Sequence, residues 1–271
     1  MDNSLEDKAE RAEDSGDLQA ALELWKQLAL HNEDPGFFCR YGSVAKELDR
    51  WDEAEAAFNQ ALRLDPNLSA AKECMGALWL ARTDRERDES LRVAKHWLAE
   101  ALRHERNARV LTFLGNVDSA LGDDSAAQKS FEEAISLDAE YEEALFNLAS
   151  LEANGDSAKA SSLLQRALEI DPHYAAAHRQ LGVLFQKQGD PAEAEYHLRR
   201  ALELDPADYW AQMYLANLLG VQGRNNEAEQ MYRFATTLHP EVKEGVEIFA
   251  RFLDSIGKDK EGDAIRHKGL G

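Results

Sequence analysis

One seven-residue phrase recurs through the 271-residue chain and constrains its fold more than any other feature. It reads QALRLDP at residues 60–66, RALEIDP at 166–172 and RALELDP at 200–206. The alanine of this phrase, or its equivalent, occurs seven times with spacings of 33, 40, 33, 33, 34 and 34 residues, at Leu28, Ala61, Ala101, Ala134, Ala167, Ala201 and Ala235. A period near 34 residues is typical of a structural unit that stacks on copies of itself.

Each repeat contains the patterns of two helices. In the second helix, residues such as Ala194, Leu198 and Ala201 follow one another at spacings of four and three, which places them on one helical face. In the first helix, a large residue followed by a small one, such as Leu181-Gly182, predicts close approach of a neighbouring helix. Glycine is expected to end the first helix in a left-handed conformation at these turns: Gly16, Gly122, Gly155, Gly189 and Gly223.

These markers resemble the tetratricopeptide-repeat family. The fullest match is AAAHRQLGVLFQKQGDPAEAEYHLRRALELDP at residues 175–206, and the resemblance extends over residues 2 to 242. It implies an all-α fold, a right-handed α-solenoid of about seven helical hairpins within residues 1–242. The hairpins are expected at 2–34, 35–68, 69–107, 108–141, 142–174, 175–208 and 209–242.

The C-terminal end of the chain and one insertion depart from the repeat period. An apolar stripe in residues 243–257 predicts a capping helix over the last hairpin, as stacked arrays require. Residues 258–271 are expected to form a polar C-terminal tail that ends in a short helix or frays. The 69–107 repeat is longer than the others, and residues 82–90 predict a charged, exposed loop or extra helical turns.

Charge and composition exclude several classes of partner. With 51 acidic against 31 basic residues, the formal net charge is -20, which disfavours nucleic acid and anionic lipid and favours a basic protein or peptide. No stretch approaches the roughly 20 apolar residues that span a bilayer, so no membrane insertion is expected. The N-terminus lacks the pattern of a secretory signal, and a cytoplasmic location is expected.

Catalytic and metal-binding patterns are missing from the sequence. It has no phosphate loop, nucleophile elbow, HExxH motif or dinucleotide-binding glycine pattern. Its eight histidines are scattered, and its two cysteines have neither metal-ligand spacing nor a disulfide framework. The sequence therefore predicts a protein that is not an enzyme and has no cofactor, no catalytic residue and no metal site.

Family resemblance also indicates where a partner would bind, because the first helices line the concave surface. The inner positions of the middle and later repeats form a mixture of amides, arginines and apolar side chains that suits a peptide. The predicted contacts are Arg109, Thr112, Asn116, Phe146, Asn147, Arg179, Val183, Gln186, Trp210, Met213 and Asn217. For Phe146, Trp210 and Tyr214 the alternative is packing between repeats, and Asn116 and Asn147 would equally stabilise neighbouring helices.

Some family members hold a peptide carboxylate with a clamp of Lys, Asn, Asn, Lys and Arg. Asn116 and Asn147 match the two asparagines, but Thr112, Ala176 and Gln180 stand where the cations belong, so a full clamp is not expected. The sequence predicts a noncatalytic adaptor that binds a peptide or protein on its concave face. Two alternatives stay open: a self-assembling oligomeric scaffold, and a regulatory subunit that acts in trans on an enzyme or secretion complex.

Overall fold

A computed structural model describes residues 3–103 and 105–270, which form α-helices and no strand. Consecutive helices are joined by short connections, and the one after residue 81 covers residues 82–86. In chain order, α1 to α16 are Asn3–Asp14, Leu18–Asn32, Pro35–Glu47, Trp51–Leu64, Ser69–Ala81, Arg87–Leu102, Ala108–Ala120, Asp124–Leu137, Glu142–Glu152, Ser157–Ile170, Ala175–Gln188, Pro191–Leu204, Tyr209–Val221, Asn225–Leu238, Lys243–Ser255 and Asp259–Leu270.

The chain divides into two compact units, Met1–Asn147 and Leu148–Gly271, with the division inside α9. In the N-terminal unit, α1 packs on α2, α3 on α4, α5 on α6 and α7 on α8. In the C-terminal unit the corresponding pairs are α11 with α12, α13 with α14, and α15 with α16. Within the described parts of both units, the repeated element is therefore a helical hairpin. Among these helices, none has both the length and the apolar character needed to cross a membrane.

Small residues in the first helices allow the two helices of a hairpin to touch. A Cβ atom on Gly42 of α3 would lie 2.4 Å from the ring of Phe58 on α4. Gly115 of α7 would meet Phe131 of α8 at 2.5 Å. Because both phenylalanines are almost completely buried, the ring fills the space that a side chain on the glycine would need.

Turns between the helices of a hairpin follow the expected glycine pattern in most cases. Gly122 and Gly189 have φ angles of 81° and 80°, a region that favours glycine because it has no Cβ. Asp49 takes this place between α3 and α4 with φ of 57°. The prediction for Gly155 is wrong, since its φ is not positive. Its shorter turn closes instead through the Gly155 and Asp156 amides, which each donate to the Glu152 carbonyl at 2.9 Å.

A buried arginine holds the inserted loop between α5 and α6. The loop covers residues 82–86, and the charged residues after Arg82 are exposed as predicted. The Arg82 side chain, however, is 0% exposed, so the expectation of an exposed segment does not hold at this residue. Its guanidinium donates to Asp52 at 2.8 Å, to Glu55 at 2.7 Å and to Asp84 at 2.8 Å.

The cationic group of Arg82 also lies over the ring of Trp79, at 5.0 Å from the ring centroid. Its hydrogen bonds, those to Asp84 first, raise the pKa of Arg82, so the buried guanidinium is charged. The three carboxylates supply the opposite charge that a buried cation requires. The insertion is thus attached to α4 and α5 at its first residue.

Beyond residue 242 the chain forms another hairpin. Ala250 of α15 follows Ala216 of α13 by one 34-residue period. Residues 259–270, within the segment for which the sequence predicts a polar tail, form α16, which packs on α15. Arg266 of α16 donates to Glu247 at 3.1 Å and to Asp254 at 2.5 Å, both on α15. Polar side chains therefore hold α16 in place, which explains why the segment lacks an obvious apolar pattern.

Aromatic residues attach α15 to the hairpin before it. Phe249 of α15 stacks on Tyr232 of α14, with ring centroids 5.7 Å apart, and Tyr209 of α13 belongs to the same core cluster. A Cβ atom on Gly245 would lie 1.7 Å from the Tyr209 hydroxyl. The glycine is therefore required for α15 to lie this close to α13.

Candidate functional site

In the N-terminal unit, the predicted partner contacts are largely engaged within the protein. Arg109 pairs through Nε with Oε1 of Glu73 at 2.6 Å. Burial raises the pKa of the Glu73 carboxyl, while Arg109 opposes that shift. Arg109 also lines a concavity of about 460 Å³ with Arg106 and Tyr141, and no other predicted contact lines it.

Thr112 does not belong to an accessible site. Thr112 is fully buried, with 0% exposure, and its hydroxyl donates to the Ala108 carbonyl at 2.9 Å. The prediction of Thr112 as a partner contact is therefore wrong, because a threonine in a helix can satisfy its hydroxyl on the preceding turn.

Asn116 and Asn147 form a hydrogen bond with each other. The Asn147 amide donates to Oδ1 of Asn116 at 2.9 Å, between α7 and α9. This contact corresponds to the alternative in which these asparagines stabilise neighbouring helices. Phe146, beside Asn147, is half-buried.

In the C-terminal unit, five predicted contacts line a single pocket between α11, α13 and α15. We call it the Trp210 pocket, and its volume is about 380 Å³. Its lining residues are Val183, Gln186, Lys187, Trp210, Met213, Tyr214, Asn217 and Ile248. Successive first helices each contribute one wall, because the inner positions of α11 and α13 repeat in register.

The apolar part of the Trp210 pocket has an exposed aromatic rim and a buried floor. Trp210 is 40% exposed, and its ring lies 6.1 Å from that of Tyr214. Met213 is only 4% exposed. Ile248 of α15 adds a half-buried aliphatic surface. An open tryptophan above buried aliphatic groups is the kind of surface that anchors an apolar side chain of a partner.

The polar part of the pocket consists of two amides and a cation. The Gln186 amide donates to Oδ1 of Asn217 at 2.9 Å, which joins α11 to α13. Lys187 donates through Nζ to Oδ1 of Asn154 at 3.1 Å. Amide groups can both donate to and accept from a peptide backbone, so this part of the pocket can orient an extended segment.

Arg179 lies outside the Trp210 pocket and has a structural partner. Its Nη1 atom donates to Oδ2 of Asp208 at 2.7 Å. The Asp208 side chain is 7% exposed, and its Oδ1 atom accepts from the Ala211 amide at the start of α13. Arg179 therefore holds the beginning of α13 against α11, and its prediction as a free peptide contact is not supported by this geometry.

Two histidines pack together between α11 and α12. The Nδ1 atoms of His178 and His197 are 2.9 Å apart, and the His197 ring stacks on Phe185. Burial, with a smaller contribution from His178, lowers the pKa of His197 to about 4. Burial also lowers the pKa of His178. Both rings are therefore neutral at pH 7, and they act as core residues.

Besides the five predicted contacts and Tyr214, which the repeat pattern also places on the inner face, Lys187 and Ile248 line the pocket, and sequence reasoning missed these two. A signal for Ile248 was present, because it follows Tyr214 by the same 34 residues that separate Ala216 from Ala250. Treating α15 as a cap alone hid this position. Within the described residues, no group of histidine, cysteine, aspartate or glutamate side chains is arranged to hold a metal ion.

Hairpins of this kind define an all-α helical-repeat protein. Models of the tetratricopeptide repeat match residues 35–68, 108–141, 140–207 and 185–236. The chain therefore belongs to the tetratricopeptide-repeat family. A search of curated proteins found no match.

Solved structures with a similar fold include proteins of varied partners. The APC/C hetero-tetramer Cut9-Hcn1 matches with a TM-score of 0.77 and 18% identity over 90% of this chain and 48% of that chain. Human IFIT1, solved as a dimer with PPP-AAAA, matches with a TM-score of 0.68 and 18% identity over 98% of this chain and 68% of that chain.

YrrB, described as a tetratricopeptide-repeat protein with an unusual peptide-binding site, matches with a TM-score of 0.51 and 24% identity. The match covers 70% of this chain and 97% of YrrB. This chain spans about half the length of the Cut9 structure. At these identities the comparisons establish the fold.

Proposed function

We propose that this protein is a noncatalytic adaptor that binds an extended segment of a protein partner in the Trp210 pocket. One observation carries the proposal: Val183, Gln186, Trp210, Met213 and Asn217 line a single pocket. Two of these residues lie on α11 and three lie on α13. The repeat pattern of the sequence predicts all five as inner-face residues.

The composition of the pocket fits recognition of a segment better than catalysis. Trp210 and Met213 offer an apolar surface, and the amides of Gln186 and Asn217 offer backbone hydrogen bonds. The similar fold of YrrB, a protein with a peptide-binding site, adds support by analogy. We further propose a cytosolic location, in keeping with two free cysteines, Cys39 and Cys74.

Removal of the Trp210 ring tests the proposed site. Wild-type protein, Trp210→Ala and Tyr196→Ala would each be immobilised and incubated with extract from the cells that produce the protein, and captured proteins would be quantified by mass spectrometry. Tyr196 is the matched control, since it is 60% exposed on α12 and does not line the pocket.

We expect a partner that binds wild type and Tyr196→Ala but is reduced at least tenfold on Trp210→Ala. Loss of an aromatic anchor at the centre of an interface costs about 2 kcal/mol or more, which corresponds to roughly 30-fold in affinity. Equal capture by all three proteins would refute the pocket as the site. Recovery of only the chain itself, equally on all three, would favour the self-assembling scaffold.

A further inference from the structure

A second pocket opens beside the Trp210 pocket in the C-terminal unit. Its volume is about 410 Å³, and we call it the Phe252 pocket after the aromatic residue of α15 in its wall. Asn217 and Ile248 line both pockets. The two pockets therefore adjoin at these two side chains, and one extended segment can occupy both.

The Phe252 pocket exposes apolar groups that nothing within the described residues covers. Val221, at the end of α13, is 79% exposed, and Phe252 and Ile256 of α15 are partly exposed. Together with Trp210 they extend the apolar surface from α13 onto α15. A contiguous apolar surface with a polar edge is typical of a place where another chain docks.

The charge of the two pockets is opposite to that of the whole chain. Neither pocket is lined by an aspartate or glutamate, although the chain has 51 of them. The charged lining residues are Lys187 and Arg251, one in each pocket. Interactions beyond roughly 8 Å are largely screened at physiological salt, so these nearby cations matter more to a bound segment than the net charge does.

Both cations are placed to contact a bound segment. Lys187 contacts the uncharged side chain of Asn154. Arg251 is 73% exposed and pairs with Glu247 at 3.0 Å, but Glu247 also pairs with Arg266 at 3.1 Å. The pair with Glu247 uses the Nε atom of Arg251, so the terminal nitrogens of this exposed guanidinium can bind a carboxylate of a partner.

We propose that the two pockets together bind one acidic, apolar peptide segment. One apolar side chain enters each pocket, Asn217 faces the backbone between them, and aspartate or glutamate side chains lie near Lys187 and Arg251. This inference rests on the proposed function and extends it, because it makes α15 a wall of the binding site. It also replaces the basic partner expected from net charge with an acidic segment at this site.

Peptide selection with the whole chain tests this inference. A displayed library of random twelve-residue peptides would be selected on wild-type protein, and the enriched peptides would be synthesised with a fluorescent label. Their affinities would then be measured by anisotropy for wild type, Trp210→Ala, Val221→Glu and Lys187→Glu. The controls are Phe234→Glu and Lys260→Glu. Phe234 is 52% exposed, Lys260 is also exposed, and neither residue lines the Trp210 pocket or the Phe252 pocket.

We expect enriched peptides with two apolar residues and at least one aspartate or glutamate. Val221→Glu and Lys187→Glu should each weaken binding by about tenfold, since the first places a charge in an apolar pocket and the second places one beside a carboxylate of the peptide. The two controls should stay within about twofold of wild type, because exposed charges outside an interface contribute little.

The possible failures are distinguishable. If wild type enriches no peptides, or if the enriched peptides bind Trp210→Ala as tightly as wild type, the proposed function fails and this inference fails with it. If they lose affinity for Trp210→Ala but are basic or uncharged, or if they bind Val221→Glu or Lys187→Glu unchanged, the proposed function stands and the acidic two-pocket segment is overturned.

Discussion

Replacement of Arg82 by methionine should destabilise the N-terminal unit measurably. Arg82→Met keeps an unbranched apolar stem next to Trp79 but removes a fully buried charge and its bonds to Asp52, Glu55 and Asp84. A hydrogen bond between charged groups contributes about 1.5–3 kcal/mol, and breaking a fully buried pair costs about 3–5 kcal/mol. The magnitude here depends on what happens to the three carboxylates.

Those carboxylates are accessible enough to regain water. The Asp52, Glu55 and Asp84 side chains are 85%, 30% and 40% exposed. Because they rehydrate when the guanidinium is removed, the loss should fall below that of a fully buried pair. We therefore expect Arg82→Met to lower the free energy of unfolding by about 2–3 kcal/mol. Arg82→Lys, which keeps the charge without the planar fork, should lose about half as much.

Urea unfolding monitored by circular dichroism would measure the free energy of unfolding. The m value, which is the slope of this free energy against urea concentration, should be the same in the variants and in wild type. Arg85→Met is the matched control: Arg85 is in the same loop, its side chain is 50% exposed, and its ion pair with Asp84 is 3.9 Å long. That control should change stability by less than about 0.5 kcal/mol. Equal midpoints for Arg82→Met and Arg85→Met would refute the anchoring role of Arg82.

Two further predictions concern the C-terminal unit. Gly182→Leu should lower the free energy of unfolding by about 1–3 kcal/mol through overpacking, because a Cβ there would lie 2.6 Å from Leu198 and 3.1 Å from the Ala194 carbonyl. Gly155→Ala is the control, and it should leave the free energy of unfolding in urea nearly unchanged. Equal losses in the two variants would contradict the close packing at Gly182. The pKa of His197 is lowered to about 4 in the folded chain. The contribution of neutral His197 to the free energy of unfolding should therefore be fully present above pH 6.5 and be lost as the pH falls towards 4. The expected total is about 3 kcal/mol; His197→Phe should flatten this dependence in unfolding midpoints measured between pH 7 and 4.5, and an identical slope in both proteins would count against it.

The repeat pattern predicted the hairpins because each one solves the same packing problem. A glycine such as Gly42 and its partner Phe58 recur as a pair in the sequence and touch in the structure. The final hairpin was harder to predict. Its second helix is attached by Arg266 to Glu247 and Asp254, and isolated charges leave no apolar period to find.

The predicted binding residues fall into two groups in the structure. Family position selects residues by their place in a first helix, and five of those selected line the Trp210 pocket. It does not show whether a side chain is already engaged. Thr112 bonds its own helix, and Arg179 bonds Asp208, through partners that sequence position alone does not reveal.

The hydrogen bond between Gln186 and Asn217 has a thermodynamic consequence for ligand binding. A peptide N–H that takes the place of the Gln186 amide, which donates to Oδ1 of Asn217 at 2.9 Å, replaces an existing hydrogen bond. Polar recognition would then be an exchange of one bond for another, with a small net enthalpy. Burial of apolar surface would supply the driving force and a negative heat-capacity change. The amides would act as a filter, rejecting segments that cannot restore the displaced bond.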